Sequence, residues 1–221
     1  MAGPMATPLP LGPSVEDGRE DQREAKRLAI LRAAARIFAE RGYHTTSVAD
    51  VAEALGVSKP FLYYYLKNKE DILFACSRIA TEQLQAVLEE VRSAPGTSGW
   101  EKLRLLFRGY SRVMSTDFGI CLIRSTTPGS LPAGQRERLY TGRRRLNREV
   151  ERLVAEGIAD GSIRSLHPRM ASFALFGAFN WISTWYRGDG AMSPEGIADS
   201  FLDLFAIGAH RQHAAGEQVE E

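Results

Sequence analysis

Three helix starts crowd the stretch between Gly42 and Lys69, and they constrain the chain more than any other feature in it. Ser47 stands at an N-cap with Asp50 three residues on, the spacing of a capping box, although Thr46 would serve equally well as the cap. Ser58 caps the next run, and Pro60 lies in its first turn, where a missing N–H costs nothing. Asn68 caps a third, with Glu70 and Asp71 near its positive end. Between the first two caps the residues have helix-turn-helix logic. Val48, Val51, Ala52 and Leu55 give one helix a core face, and Ala52 is small where two helices must approach. Gly56 permits the tight turn, Val57 plugs the angle, and Leu62 with Leu66 holds the second helix down.

That packing turns Lys59, Pro60, Phe61, Tyr64 and Tyr65 outward, at the exposed start of a helix, as a recognition helix is presented to a major groove. Phosphate contacts position such a protein and base-edge contacts specify sequence. Thr46 and Ser47 lie at a helix N-terminus suited to a phosphate, and Tyr63, Tyr65 and Lys69 are further phosphate candidates. Lys59 can donate to guanine, Pro60 and Phe61 can pack on a thymine methyl, and Tyr65 is also a candidate base reader. The alternative for Tyr63 and for Tyr64, taken individually, is an amphipathic core; it suits all three tyrosines together less well, because consecutive helical positions point about 100° apart.

The rest of the chain is helical in pattern, with no convincing strand. Asp21 to Arg41 carries Ile30, Ala33, Ala34, Ile37 and Phe38 on one stripe and stops at Gly42. Helices are expected from Asn68 to Arg92, Trp100 to Ser115, Phe118 to Ser125, Ala133 to Asp160, Pro168 to Tyr186, and from the Ser193-Pro194-Glu195 start to about His210. The expectation is an all-α fold of about nine helices. A disordered tail (1–20), a DNA-binding unit (21–70), a ligand-binding and dimerisation domain (71–212) and a polar tail (213–221) make up the chain.

Composition sets limits. The 221 residues carry a net charge of +1, so the chain as a whole is no polyanion binder. Apolar runs are broken well short of the ~20 residues of a membrane span, and the N-terminus lacks a basic, apolar leader. A cytoplasmic protein without membrane contact is expected. Cys76 and Cys121, the two cysteines, have no CxxC spacing and point to a reducing compartment and no metal site. No phosphate loop, nucleophile elbow or paired-carboxylate site is visible, and the four histidines are scattered, so no catalytic residue is assigned. An all-helical enzyme or a scaffold leaves the outward polar-aromatic helix start unexplained.

The stretch from about Arg27 to Leu73 resembles the DNA-binding domain of the tetracycline-repressor (TetR) family. The matching residues include Ile30, Ala33, Ala34, Phe38, Gly42, Tyr43, Thr45, Thr46, Asp50, Val51, Ala52, Gly56, Val57, Ser58, Leu62, Tyr63, Tyr64, Lys69 and Glu70. Tyr65 stands where the family often has histidine, and Leu66 where it often has phenylalanine. The resemblance implies a homodimer that binds a palindromic double-stranded DNA operator, usually as a repressor, with a ligand-sensing second half. Phe173, Leu175, Phe176, Phe179, Ile197, Phe201, Leu204, Phe205 and Ile207 suit a four-helix interface between subunits, or the monomer's own core.

Asn180 to Arg187, followed by Gly188-Asp189-Gly190 and Ser193-Pro194-Glu195, resembles the C-terminal domain of TetR-type regulators of fatty-acid and related acyl-chain breakdown. Those regulators commonly answer to acyl-CoA thioesters. The resemblance implies an acyl chain among Phe107, Tyr110, Trp181 and Trp185, with Asn180 as a polar anchor. CoA phosphates would then need guanidinium partners, for which Arg124, Arg144, Arg145 and Arg148 are candidates. Interface packing is the other reading of Trp181 and Trp185, and a solvated helix face is the other reading of the arginine run. A regulator of efflux or catabolic genes that senses a non-CoA hydrophobic compound is the alternative function. The fourth helix is expected to carry the signal to DNA by shifting when ligand binds.

Overall fold

The computed structural model describes residues 15–94 and 96–207, and among them every regular element is an α-helix. In order these are α1 (Val15–Arg41), α2 (Val48–Ala54), α3 (Lys59–Tyr65), α4 (Lys69–Ser93), α5 (Gly99–Met114), α6 (Asp117–Ser125), α7 (Ala133–Ala159), α8 (Pro168–Trp185) and α9 (Pro194–Ile207). The first begins before the expected Asp21, so 15–20 continue the helix rather than belonging to a tail. The expectations for 1–14 and 213–221, and for the end of α9 near His210, lie outside the described residues.

Each start follows from its cap. Ser47 Oγ accepts from the Asp50 N–H at 3.2 Å while Asp50 accepts from the Ser47 N–H at 2.7 Å, so Ser47 and not Thr46 is the cap. The side chains of Ser58, Asn68, Ser98 and Thr116 likewise accept an N–H of the first turn of α3, α4, α5 and α6, and at Ser98 the bond is again returned, by Glu101. Each such bond satisfies an N–H that the helix cannot pair internally. The two amides after Ser98 find acceptors in the chain beyond α7. Gly99 N donates to Asp160 Oδ2 at 2.7 Å and Trp100 N to Ser162 Oγ at 3.1 Å.

Helix α5 is the axis of the larger unit, packed against α4, α6, α7, α8 and α9. Leu103, Leu106, Phe107 and Met114 on it are fully buried. Phe107 meets Phe179 with ring centroids 4.4 Å apart and Phe176 at 5.6 Å, which places an aromatic layer between α5 and α8. Burying side chains of this kind stabilises the fold by roughly 1.5–3 kcal/mol each. Small residues set the closest approaches, and at Gly99 a Cβ would lie 2.2 Å from the Gly157 nitrogen.

The N-terminal helices and the larger bundle share one core. Helix α1 lies along α6 and α4, and the buried residues form one core from Ile30 and Leu31 through Leu73 and Cys76 to Leu202. Arg36 of α1 pairs with Asp117 of α6 at 3.2 Å.

Candidate DNA interface and effector cavity

At the N-terminal end the turn between α2 and α3 is closed by Gly56 N donating to Glu53 O and Val57 N donating to Ala52 O, both at 3.0 Å. Gly56 has φ +63°, where a side chain would be strained. Leu62 is fully buried beneath α3, and Leu66 nearly so. Anchoring that face turns Lys59, Pro60, Phe61, Tyr63 and Tyr64 to solvent. The result is a helix N-terminus with one ammonium, one proline ring and several aromatic edges, free to enter a groove. It can donate hydrogen bonds to base edges, pack on methyl groups, and offer phenol hydroxyls to phosphate oxygens.

Individual candidates fare differently. Ser47 is exposed at the start of α2, where its hydroxyl oxygen is engaged with the Asp50 N–H. Thr46 is 2% exposed, and its hydroxyl donates to the Gly42 carbonyl at 2.8 Å, so its side chain is turned into the fold and away from any phosphate. Tyr65 is half-buried against the core, with its ring 5.3 Å from Phe61 and 5.0 Å from Tyr64; it backs the outward residues rather than leading them. Tyr64 is the most exposed of the three tyrosines at 65%, and the Arg23 guanidinium of α1 sits 5.2 Å over its ring. Arg23 lies outside the helix-turn-helix in sequence, and only the path of α1 brings it there. Lys69 is half-buried, with its ammonium 4.3 Å above the Tyr43 ring and 3.4 Å from the His44 carbonyl. Burial, with the nearby Glu70 carboxylate, pushes the Tyr43 phenol up to about 12.

In the larger unit, α4, α5, α6, α7 and α8 surround a cavity of about 310 Å³. That falls in the ~300–1,000 Å³ range of small-molecule sites. Leu84, Leu88, Leu122, Leu139, Leu146 and Phe176 make the apolar wall, and Tyr110 and Asn180 form a polar pair within it. The Tyr110 hydroxyl donates to Asn180 Oδ1, and burial holds its proton far above the usual phenol range. Arg136, Arg143 and Arg145 also line the cavity, all from α7. The α6–α7 connection supplies Thr126, Thr127 and Ser130.

Of the nine residues expected at the ligand, the cavity takes Tyr110, Asn180 and Arg145. Phe107 is buried one layer behind, against Phe176 and Phe179. Trp181 and Trp185 are 63% and 44% exposed on the outer face of α8, so this wall of the cavity is formed by Phe173, Phe176 and Gly177 instead. Arg124 is exposed at the end of α6 and does not line the cavity. Arg144 bonds Glu137 and Thr141 along its own helix, and Arg148 donates to the Arg144 carbonyl. A run of arginines is split between faces because neighbouring helical positions diverge by about 100°. That same spacing joins Arg136 and Arg143, seven apart, on the cavity side, and helical phase along α7 is the signal by which they could have been found.

Among the described residues no three histidine, cysteine or carboxylate side chains cluster as a metal ion would require. No described helix is long and apolar enough to cross a membrane.

The chain is similar to known proteins over both halves. Residues 30–76 match the family described as bacterial regulatory proteins, tetR family, and residues 96–209 match the tetracyclin repressor-like C-terminal domain. The fatty acid metabolism regulator protein of Bacillus subtilis is 26% identical over 193 residues, covering 86% of this chain and 99% of the relative. The structure of the TetR family transcriptional regulator PfmR from Thermus thermophilus is similar with a TM-score of 0.73 and 31% identity, covering 82% of this chain and 99% of that one. That of AibR in complex with isovaleryl coenzyme A and operator DNA is similar with a TM-score of 0.70 and 26% identity, covering 81% and 97%.

Proposed function

The chain belongs to the TetR family of bacterial regulatory proteins, a helix-turn-helix transcriptional regulator and not an enzyme, and we propose that it is a homodimeric repressor released from a palindromic operator by an acyl-CoA thioester. The observation that carries the effector is the composition of the cavity. One wall of leucine and phenylalanine suits an acyl chain, the Tyr110–Asn180 pair suits a carbonyl, and Arg136, Arg143 and Arg145 suit the CoA phosphates. The fatty acid regulator of Bacillus subtilis and the isovaleryl-CoA complex of AibR support the same class of ligand.

The dimer is supported by the outer face of α8 and α9. Met170, Trp181 and Trp185 of α8 and Leu204 of α9 are exposed, and large apolar side chains left open to solvent in this way suit an interaction site. A second copy placing its own α8 and α9 against these residues makes an isologous interface. Two recognition helices about 34–36 Å apart then enter successive major grooves.

The test is a titration. An operator fragment recovered by selection from random DNA is bound to the protein and challenged with acetyl-, isovaleryl-, octanoyl- and palmitoyl-CoA. Release by at least one of them, with the matching free acid inactive, is expected. Binding unchanged by the whole panel excludes acyl-CoA and favours an uncharged hydrophobic effector.

A further inference from the structure

One stretch of chain belongs to both halves of the molecule. The connection from Thr126 to Leu131, with the first turn of α7, forms part of the cavity wall through Thr126, Thr127, Ser130, Leu131 and Arg136. It also bonds the DNA-binding unit at His44 and the first turn of α4, directly after that unit, at Asp71. His44 Nε2 lies 3.1 Å from Thr127 Oγ1, and Gln135 Nε2 donates to Asp71 Oδ1 at 3.1 Å.

Both bonds end on groups that hold the recognition helix. His44 lies in the turn between α1 and α2, with its ring edge-on to Tyr43 at 5.2 Å, and its carbonyl receives the Lys69 ammonium at 3.4 Å. Asp71 is in the first turn of α4, where its own N–H is bonded to the Asn68 cap at 2.7 Å. Asn68 and Lys69 follow directly on α3 through Leu66. The amide oxygen of Gln135 is buried with no hydrogen-bond partner among the described residues, so the residue is held by its bond to Asp71 alone at that end.

We infer that the 127–135 segment is a clasp: Thr127 and Gln135 act as positioning residues that hold the α2–α3 unit in its operator-binding arrangement, and a ligand in the cavity opens the clasp by engaging Thr127 and Ser130. The opening rests on the reading of the cavity as the effector site; the clasp does not. Thr127 is the pivot because it both contacts His44 and lines the cavity, so a ligand that draws its hydroxyl inward lengthens the contact to His44. A shift of a few tenths of an ångström there reaches Tyr43 and Lys69 through packed and bonded contacts.

A double-mutant cycle tests it without knowledge of the effector. Thr127→Val and His44→Phe each remove the bond; the first keeps the shape, and the second keeps a ring against Tyr43. Each is expected to weaken binding to the selected operator fragment about 3- to 10-fold, the scale of one hydrogen bond. The double variant is expected to be no weaker than either single one, and Thr127→Ser to restore binding. Additive losses, or no loss with unchanged melting temperature, overturn the clasp. A second arm measures isovaleryl-CoA and palmitoyl-CoA binding to wild type and Thr127→Val by calorimetry without DNA. The variant is expected to bind a ligand of wild type more weakly, through the rest of the cavity lining, and at saturating ligand to have lost most of its operator release. A coupled cycle with no acyl-CoA bound keeps the clasp and removes the effector reading. Release unaltered by Thr127→Val, with an uncoupled cycle, keeps the effector reading and removes the clasp.

Discussion

The buried hydroxyl of Tyr110 donates to the side-chain oxygen of Asn180, and this bond joins α5 to α8 inside the cavity. It fixes the face that Asn180 presents, with the amide oxygen engaged and the Nδ2 hydrogens directed elsewhere. Tyr110→Phe removes the donor and leaves the half-buried Asn180 acceptor unpaired, a loss of about 0.5–1.5 kcal/mol. The melting temperature is expected to fall by a few degrees. Acyl-CoA binding, followed by calorimetry, is expected to weaken while operator affinity without effector stays as in wild type. Loss of operator affinity instead would place the pair in the frame of the DNA-binding unit.

Lys59, exposed at the first position of α3, is the charged residue best placed to read a base. Lys59→Ala is expected to reduce discrimination at one operator base pair by about 1–3 kcal/mol. Gel shifts against the selected operator and its single-base variants measure it. Uniform weakening across all variants, with the salt slope lowered by about one, would make Lys59 a phosphate contact instead.

Trp181 and Leu204 stand 63% and 65% exposed on α8 and α9. Trp181→Arg with Leu204→Arg puts charges of one sign into the proposed subunit interface, where they cannot pair with one another. Sedimentation velocity is expected to show a monomer, with operator binding lost in proportion. A variant that still sediments as a dimer assigns the interface to another face.

Gly99 touches the backbone of Gly157, and a Cβ there would come within 2.2 Å of the Gly157 nitrogen and 2.5 Å of its Cα. Backbone cannot yield as a side-chain tip can, so Gly99→Ala must push α5 and α7 apart. A destabilisation of about 1–3 kcal/mol is expected, read as a lower urea midpoint at constant slope. A midpoint equal to wild type would mean that the two helices slide freely at this crossing.

Glu149 is nearly buried on α7 and pairs with Arg152 at 2.9 Å and Arg92 at 3.6 Å. Burial raises its pKa, but the hydrogen bond and charge of Arg152, with those of Arg92, outweigh that and leave it below the ordinary carboxylate value. A carboxyl lowered in the folded state adds stability above its unfolded pKa of about 4.3. That stability is lost as pH falls through the lower folded value. Glu149→Gln is expected to flatten this part of the acid limb in denaturation series between about pH 6 and pH 3. An acid limb identical to wild type would show that Arg92 and Arg152 do not hold the carboxylate in solution.

Much of this molecule is legible in local pattern. Ser47, Ser58, Asn68 and Pro194 start helices where the sequence places them, because a cap or an N-terminal proline acts within its own first turn. Gly56 turns the chain for an equally local reason. The residues of the cavity are less legible. Trp181 and Trp185 are large, apolar and four apart, which shows that they share a face of α8, but periodicity cannot say what that face meets. Arg136 and Arg143 stand seven apart in one run with Arg144 and Arg148, so helical phase groups them on one side of α7, but nothing in the run itself says which side faces inward. Only the roll of α7 about its axis decides which of them look inward.

The sequence by itself therefore determined the helices, their order and the outward start of α3, all properties of residues within a few positions of one another. The tertiary structure alone decided that α1 brings Arg23 over Tyr64 and that Thr127 meets His44. Each of these is a contact between groups whose separation along the chain carries no signal, set by how helices cross and roll when one shared core is filled.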